Sequence, residues 1–305
     1  RRSSDSQTIL SSSEDGTARL WSVSNRRCLF NFQHDLSSEV LRATFIDKEN
    51  KLVCTCGSDG NAKLWQKQEN SSNSNSLLYR VTYTIPHGDT QIYACESVNN
   101  NSVIITGAEN SLFFWDVETN QEKFSPYHFQ SIHSILGGTL TNKDQTVFGG
   151  VRNPDMIAYV FDVKEAPVNS SAHYLCSVAM SDGTVRLVDT RSPITDNMIP
   201  ITHPVRPTEV VNTHVTSTCW DENANDIIIS LASGGTAVLD LRQKSIRAYL
   251  EAPEARGVFG GVFRSSSSSS FSSSFFFSFF FSFTISTSLL SLLLLLLLLS
   301  LLLSL

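Results

Sequence analysis

The sequence predicts an all-β fold: an incomplete β-propeller with about six recognisable blade units of seven, followed by a low-complexity C-terminal tail. Three observations predict it. Six near-copies of one hairpin recur along residues 1–264, most of them at the spacing of a four-stranded blade. The runs flanking each copy alternate apolar and polar with period two, and no helical period is convincing there. The last 41 residues contain only Ser, Phe, Thr, Ile and Leu and carry no charge.

The copies are SEDGTARLW (13–21), SDGNAKLW (58–65), AENSLFFWD (108–116), NPDMIAYVFD (153–162), SDGTVRLVD (181–189) and SGGTAVLD (233–240). In each, a tight turn joins two alternating runs, the pattern of a β-hairpin. Taking Trp21, Trp65, Trp115, Phe161, Val188 and Leu239 as anchors gives intervals of 44, 50, 46, 27 and 51 residues. Four intervals hold a blade plus loops. The 27-residue interval is too short, so a deficit of about two strands is expected near residues 163–174. Between anchors, Val40–Phe45, Ile92–Cys95 and Val215–Trp220 read as inner strands and Leu78–Tyr83 as an outer strand, while 68–76 is a polar loop insertion that buries nothing.

These hairpins resemble the WD-repeat β-propeller family. The resemblance implies a buried network in each full repeat, built from an Asp in the turn, a His before the inner strand, a Ser or Thr on the second strand and a Trp on the third. Matching positions are Asp15 and Trp21 in the first unit, His34, Thr55, Asp59 and Trp65 in the second, His87, Glu109 and Trp115 in the third, and Asp182 in the fifth. Phe161, Val188 and Leu239 stand where the family has Trp, and Gly234 stands where it has the turn Asp, so those blades are expected to be less firmly tied. The turns at Asp15, Asp59, Glu109 and Asp182 should share one face.

Composition and motifs narrow the function. Net charge is −6, which gives no field for gripping phosphate backbones, so bulk nucleic-acid binding is not expected. Cysteines 28, 54, 56, 95, 176 and 219 form no Cys-x-x-Cys pair and have no His at zinc spacing. They read as reduced intracellular thiols, with no metal and no cofactor implied. His34 with Asp59 and His87 with Glu109 recur once per repeat, as structural ties do and a single active site does not. No nucleophile elbow, phosphate loop or metalloprotease helix is present, and the chain is read as a non-enzyme.

What remains is protein or peptide binding on the propeller faces. Asp189-Thr190-Arg191 and Asp240-Leu241-Arg242 place an Arg two residues after a strand-end Asp in successive units. This is similar to the W-D-x-R element of WD-repeat substrate receptors of cullin-4 RING ubiquitin ligases, although Val188 and Leu239 replace its Trp. The likeness implies that Asp189, Arg191, Asp240 and Arg242 meet the ligase adaptor, with both arginines at one height on neighbouring blades. The alternative is a solvated Asp–Arg pair that closes a turn. The chain opens on Arg1 and is expected to be a fragment in the cytoplasm or nucleus. Residues 265–305 read either as translation of a pyrimidine-rich tract or as an apolar anchor, the run from Phe275 being long enough to cross a bilayer. The competing function classes are therefore an interaction scaffold, ligase-linked or in another complex, and a tail-anchored membrane interaction protein.

Overall fold

The computed structural model describes residues 7–68, 77–98, 102–129, 158–192, 196–200, 202–203, 206–210, 214–232 and 234–251, with Ser3 and Asp5. Among these residues every regular element is a strand. The first sheet is β1 (Thr8–Ser12), β2 (Thr17–Ser22) and β3 (Cys28–Gln33). The second is β4 (Val40–Phe45), β5 (Leu52–Gly57), β6 (Asn61–Lys67) and β7 (Tyr79–Pro86). The third is β8 (Ile92–Val98), β9 (Val103–Ala108), β10 (Ser111–Asp116) and β11 (Gln121–His128). The fourth is β12 (Val160–Glu165), β13 (Leu175–Met180), β14 (Thr184–Asp189) and β15 (Asp196–Pro200). A short hairpin, β16 (Thr202–His203) with β17 (Arg206–Val210), precedes the fifth sheet, β18 (Val215–Trp220), β19 (Asp226–Leu231), β20 (Gly235–Asp240) and β21 (Ser245–Glu251).

All pairings are antiparallel between strands consecutive in sequence, so each sheet is a meander. Inner strands β4, β8, β12 and β18 lie successively side by side, and β1 contacts β4. Both faces of each inner sheet are therefore covered, and the apolar residues form layers between sheets. Leu10, Leu20, Phe32, Val53 and Trp65 fill the first layer, and Cys54, Cys56, Leu64, Ile92, Cys95 and Ile104 the second. Ile105, Phe114, Val160 and Val178 belong to the third, and Val185, Trp220, Ile229 and Leu239 to the fourth. This layering places the inner strands at a common axis and the turns at the two ends of each sheet.

One expectation is overturned. Phe161 is not the third-strand anchor of a blade; it lies on β12, the inner strand of the fourth sheet. Val160–Glu165 pairs with Leu175–Met180, residues 166–174 connect them by turns, and the sheet has all four strands. The strand deficit at 163–174 does not exist. An inner strand is itself an alternating run, and Val160-Phe161-Asp162 imitates the end of a third strand in sequence. The Asn153-Pro154-Asp155 turn expected before it, the polar insertion at 70–76, the Gly257–Phe263 run and the tail at 265–305 lie outside the described residues. Among the described residues no helix is long and apolar enough to cross a membrane.

Candidate functional site

The residues that look catalytic in sequence gather around the second-to-third-strand turns, with His34 and His87 reaching them from just after the outer strands β3 and β7. In the second sheet Asp59 lies in the three-residue turn between β5 and β6 and accepts from Asn61 N at 3.1 Å. His34 Nε2 meets Asp59 Oδ1 at 3.1 Å, His34 Nδ1 meets Thr55 Oγ1 at 2.7 Å, and Trp65 Nε1 donates to Thr55 Oγ1 at 2.8 Å. One proton arrangement satisfies the chain: Nε2–H donates to the carboxylate, and the threonine hydroxyl donates to Nδ1 while accepting from the indole. Burial holds the His34 pKa below its ordinary value even against Asp59, so the neutral ring is the stable form. A neutral imidazole with both nitrogens engaged is a tie between strands.

The third sheet repeats the tie without the acid. His87 Nε2 meets Thr106 Oγ1 at 2.8 Å, Trp115 Nε1 donates to that oxygen at 3.2 Å, and His87 Nδ1 faces the Ile85 carbonyl at 3.3 Å. The expected His87–Glu109 pair is thus replaced by a ring-to-carbonyl contact. The turn explains it: Glu109-Asn110 is one residue shorter than Ser58-Asp59-Gly60, and Glu109 takes a left-handed φ of 48°. With Nδ1–H on the carbonyl, the His87 tautomer is opposite to that of His34. Burial lowers the His87 pKa to about 4. In the first sheet Trp21 Nε1 donates to Ser11 Oγ at 2.9 Å, while Asp15 accepts from Thr17 and pairs with Arg19 at 2.7 Å.

Ser11 and Thr106 escape a reading that matches only Thr55. The usable signal is distance from Trp: ten residues ahead in the first two sheets and nine in the third, where the turn is one residue shorter. The fourth and fifth sheets drop donor and acceptor together. Val178 stands opposite Arg186, two residues before Val188, and Ile229 stands opposite Ala237, two residues before Leu239. Val178, Val188, Ile229 and Leu239 are all buried apolar side chains, so replacing the Trp leaves no orphaned partner. Asp182 instead accepts from Thr184 and pairs at 3.0 Å with Arg186, whose side chain is 1% exposed and lies 5.4 Å from the Phe129 ring centre.

A second polar group sits where the inner strands meet. Arg42 of β4 pairs with Asp162 of β12, and Lys164 bridges Glu96 of β8 at 2.8 Å and Asp162 at 3.2 Å. Asp162 Oδ2 also accepts from the backbone of Thr218 on β18 at 3.2 Å. Two buried carboxylates and two partly exposed cations thus tie four sheets together with no net charge. The sequence signal is charge inside the otherwise apolar inner runs β4, β8 and β12, but its meeting depends on the ring-like arrangement.

At the opposite end of the sheets, the third-to-fourth-strand turns carry the Asp-x-Arg elements. Asp189 Oδ1 caps Arg191 N at 2.9 Å, and Asp240 Oδ1 caps Arg242 N and Gln243 N at 2.8 and 3.0 Å. Asp116 caps its own turn in the same way without an arginine. The Arg191 guanidinium grips Asp189 through Nε at 3.0 Å and a terminal nitrogen at 2.6 Å, and stacks 3.8 Å from the Tyr174 ring centre. Its side chain remains 62% exposed. Donation from Arg191 lowers the Asp189 pKa. Arg242 donates to Asn225 Oδ1 at 2.8 Å instead of to Asp240. The two arginines share one position on neighbouring sheets, held by different partners.

A family profile for the WD domain, G-beta repeat, matches residues 2–22 and 26–66, which contain the strands of the first sheet and β4 to β6. Both matched segments carry the WD-repeat pattern. The matched span contains the Ser11–Trp21 bond and the full His34–Thr55–Asp59–Trp65 network, where the repeat grammar is most complete. No curated protein matches the chain. Outside the matched span, histidines also serve local structure: His128 Nδ1 meets Ser111 Oγ at 2.7 Å, and His214 Nδ1 meets the Ser181 carbonyl. His133 and the His203 side chain lie outside the described residues.

Proposed function

We propose that this WD-repeat chain is a non-catalytic protein-interaction scaffold of the cytoplasm or nucleus, with a recognition surface on the third-to-fourth-strand turns around Arg191 and Arg242. The observation that carries this reading is the contrast between the two ends of the sheets. His34, His87, Asp59 and Asp182 are engaged in ties within the fold, whereas Arg191 is rigidly presented yet mostly exposed. A guanidinium fixed by a carboxylate and an aromatic ring has less conformational freedom to lose on meeting an acceptor. Repetition at Arg242 gives a partner two such points. This fits the finer reading, in which the partner is the adaptor of a cullin-4 RING ligase and the chain is its substrate receptor.

The test is co-purification of partners with the tagged full chain and with Arg191→Ala/Arg242→Ala. The reading expects the adaptor with the parent and its loss from the double variant at unchanged thermal stability. Recovery of other partners alone would keep the scaffold and remove the ligase assignment. Equal recovery of every partner by both chains would remove the proposed surface.

A further inference from the structure

Three thiols that the sequence scatters come together between the second and third sheets. Cys54 and Cys56 are alternate residues of β5 and point to one face, and Cys95 reaches them from β8. All three are fully buried, and their sulfurs lie within 4.8 Å of one another, with Cys54 and Cys56 at 3.9 Å. We propose that Cys54, Cys56 and Cys95 form a three-sulfur site for a soft monovalent metal ion, the cuprous ion.

The geometry selects this class. Three sulfurs placed trigonally at about 2.3 Å from a central ion are about 4 Å apart, using the usual metal–thiolate length. The observed separation of Cys54 and Cys56 already matches. Thiolate sulfur favours soft ions such as Cu(I), Zn and iron–sulfur clusters over hard ones. Zinc also seeks a fourth ligand, and among the described residues no further His, Cys, Asp or Glu joins the three thiols, which sit in an apolar layer of Ile46, Ala62, Leu64, Ile92 and Ile104. A three-coordinate cuprous ion needs no fourth donor. Binding forms three Cu–S bonds, sends three S–H protons to solvent and changes no oxidation state.

The centre then carries two net negative charges, and Arg42 lies opposite Cys56 on the adjacent strand, on the same side of the sheet. Because the site is sealed, loading accompanies folding, as for structural metals generally.

The full chain is refolded with Cu(I) under anaerobic conditions in the presence of a non-thiol reductant, then freed of unbound metal with a cuprous chelator. The expected result is one copper per chain, three sulfur neighbours in X-ray absorption, and release to the chelator only on unfolding. Copper content should fall at least tenfold in Cys54→Ser, Cys56→Ser and Cys95→Ser, and stay unchanged in Cys28→Ser, which alters an exposed thiol. Should a variant fail to fold, the wild-type chain decides: in mild denaturant, copper should spare these three cysteines from alkylation together. No copper retained, two sulfur neighbours, copper kept by Cys95→Ser, or no joint protection overturns the proposal.

Discussion

The hydroxyl of Thr55 accepts from Trp65 and satisfies His34, so Thr55→Val strands two buried polar groups at once. A loss of about 2–3 kcal/mol is expected, each orphaned group costing on the order of 1–3. Glu109→Gln should change stability by less than about 0.5 kcal/mol, because its side chain is no part of the His87 tie. Urea titration of both variants checks the contrast. The same histidines set a pH dependence. Burial depresses both folded-state values, that of His87 from 6.5 to about 4, so their contribution is complete above pH 6.5 and is lost as pH falls below it, for His87 toward about 4. For His87 this amounts to about 3 kcal/mol. His87→Asn should flatten the stability profile across that window, as measured by melting temperature against pH. Asp59 and His34 are legible in the sequence because the Asp-Gly hairpin turn recurs along the chain and matches the WD-repeat pattern. Ser11 and Thr106 are not, because single hydroxyls in a serine-rich chain carry no mark until the Trp offset is counted. Glu109 misleads because its acidity is visible and the length of its turn is not.

At the scale of elements, alternation and turn chemistry reveal the hairpins well, since most inner and third strands bury both faces between sheets. The same property hides which strand of a blade a given run supplies. Phe161 shows this: its run ends in an aromatic residue and an Asp, like β10, yet it is the inner strand and needs no preceding hairpin partner. Spacing between sheets is set partly by Gly107 of β9, where an added Cβ would overlap Cγ1 of Val160 on β12 and approach Ala94 Cβ to 3.2 Å. Gly107→Ala should therefore push the third and fourth sheets apart and cost about 1–3 kcal/mol, as overpacking does. Gly107→Ala/Val160→Ala should recover part of the loss of spacing, which a thermal-melt double-mutant cycle would reveal as a favourable coupling energy.

For the whole molecule, the deciding contacts join residues far apart in the chain, and a single sequence does not show them. Arg42 and Glu96 each look like an isolated charge in an apolar strand, Asp162 and Lys164 share β12, and only the shared axis makes the four one neutral cluster. Asp162→Asn should remove the link among Arg42, Lys164 and Thr218 and cost about 3–5 kcal/mol, the usual penalty for breaking a buried ion pair from one side. Its unfolding should show loosening of several sheets by hydrogen exchange, whereas Arg191→Ala should leave exchange at the axis unchanged. The functional account divides the molecule by the same geometry: ties within the sheets, recognition on the turns that carry Arg191 and Arg242. Its most direct test is quantitative affinity capture from one lysate, comparing the parent chain, Arg191→Ala/Arg242→Ala, and Glu14→Ala/Glu109→Ala on the opposite turns. The account predicts loss of specific partners with the arginine pair and none with the glutamate pair. Loss with the glutamates and full recovery with the arginines would contradict it.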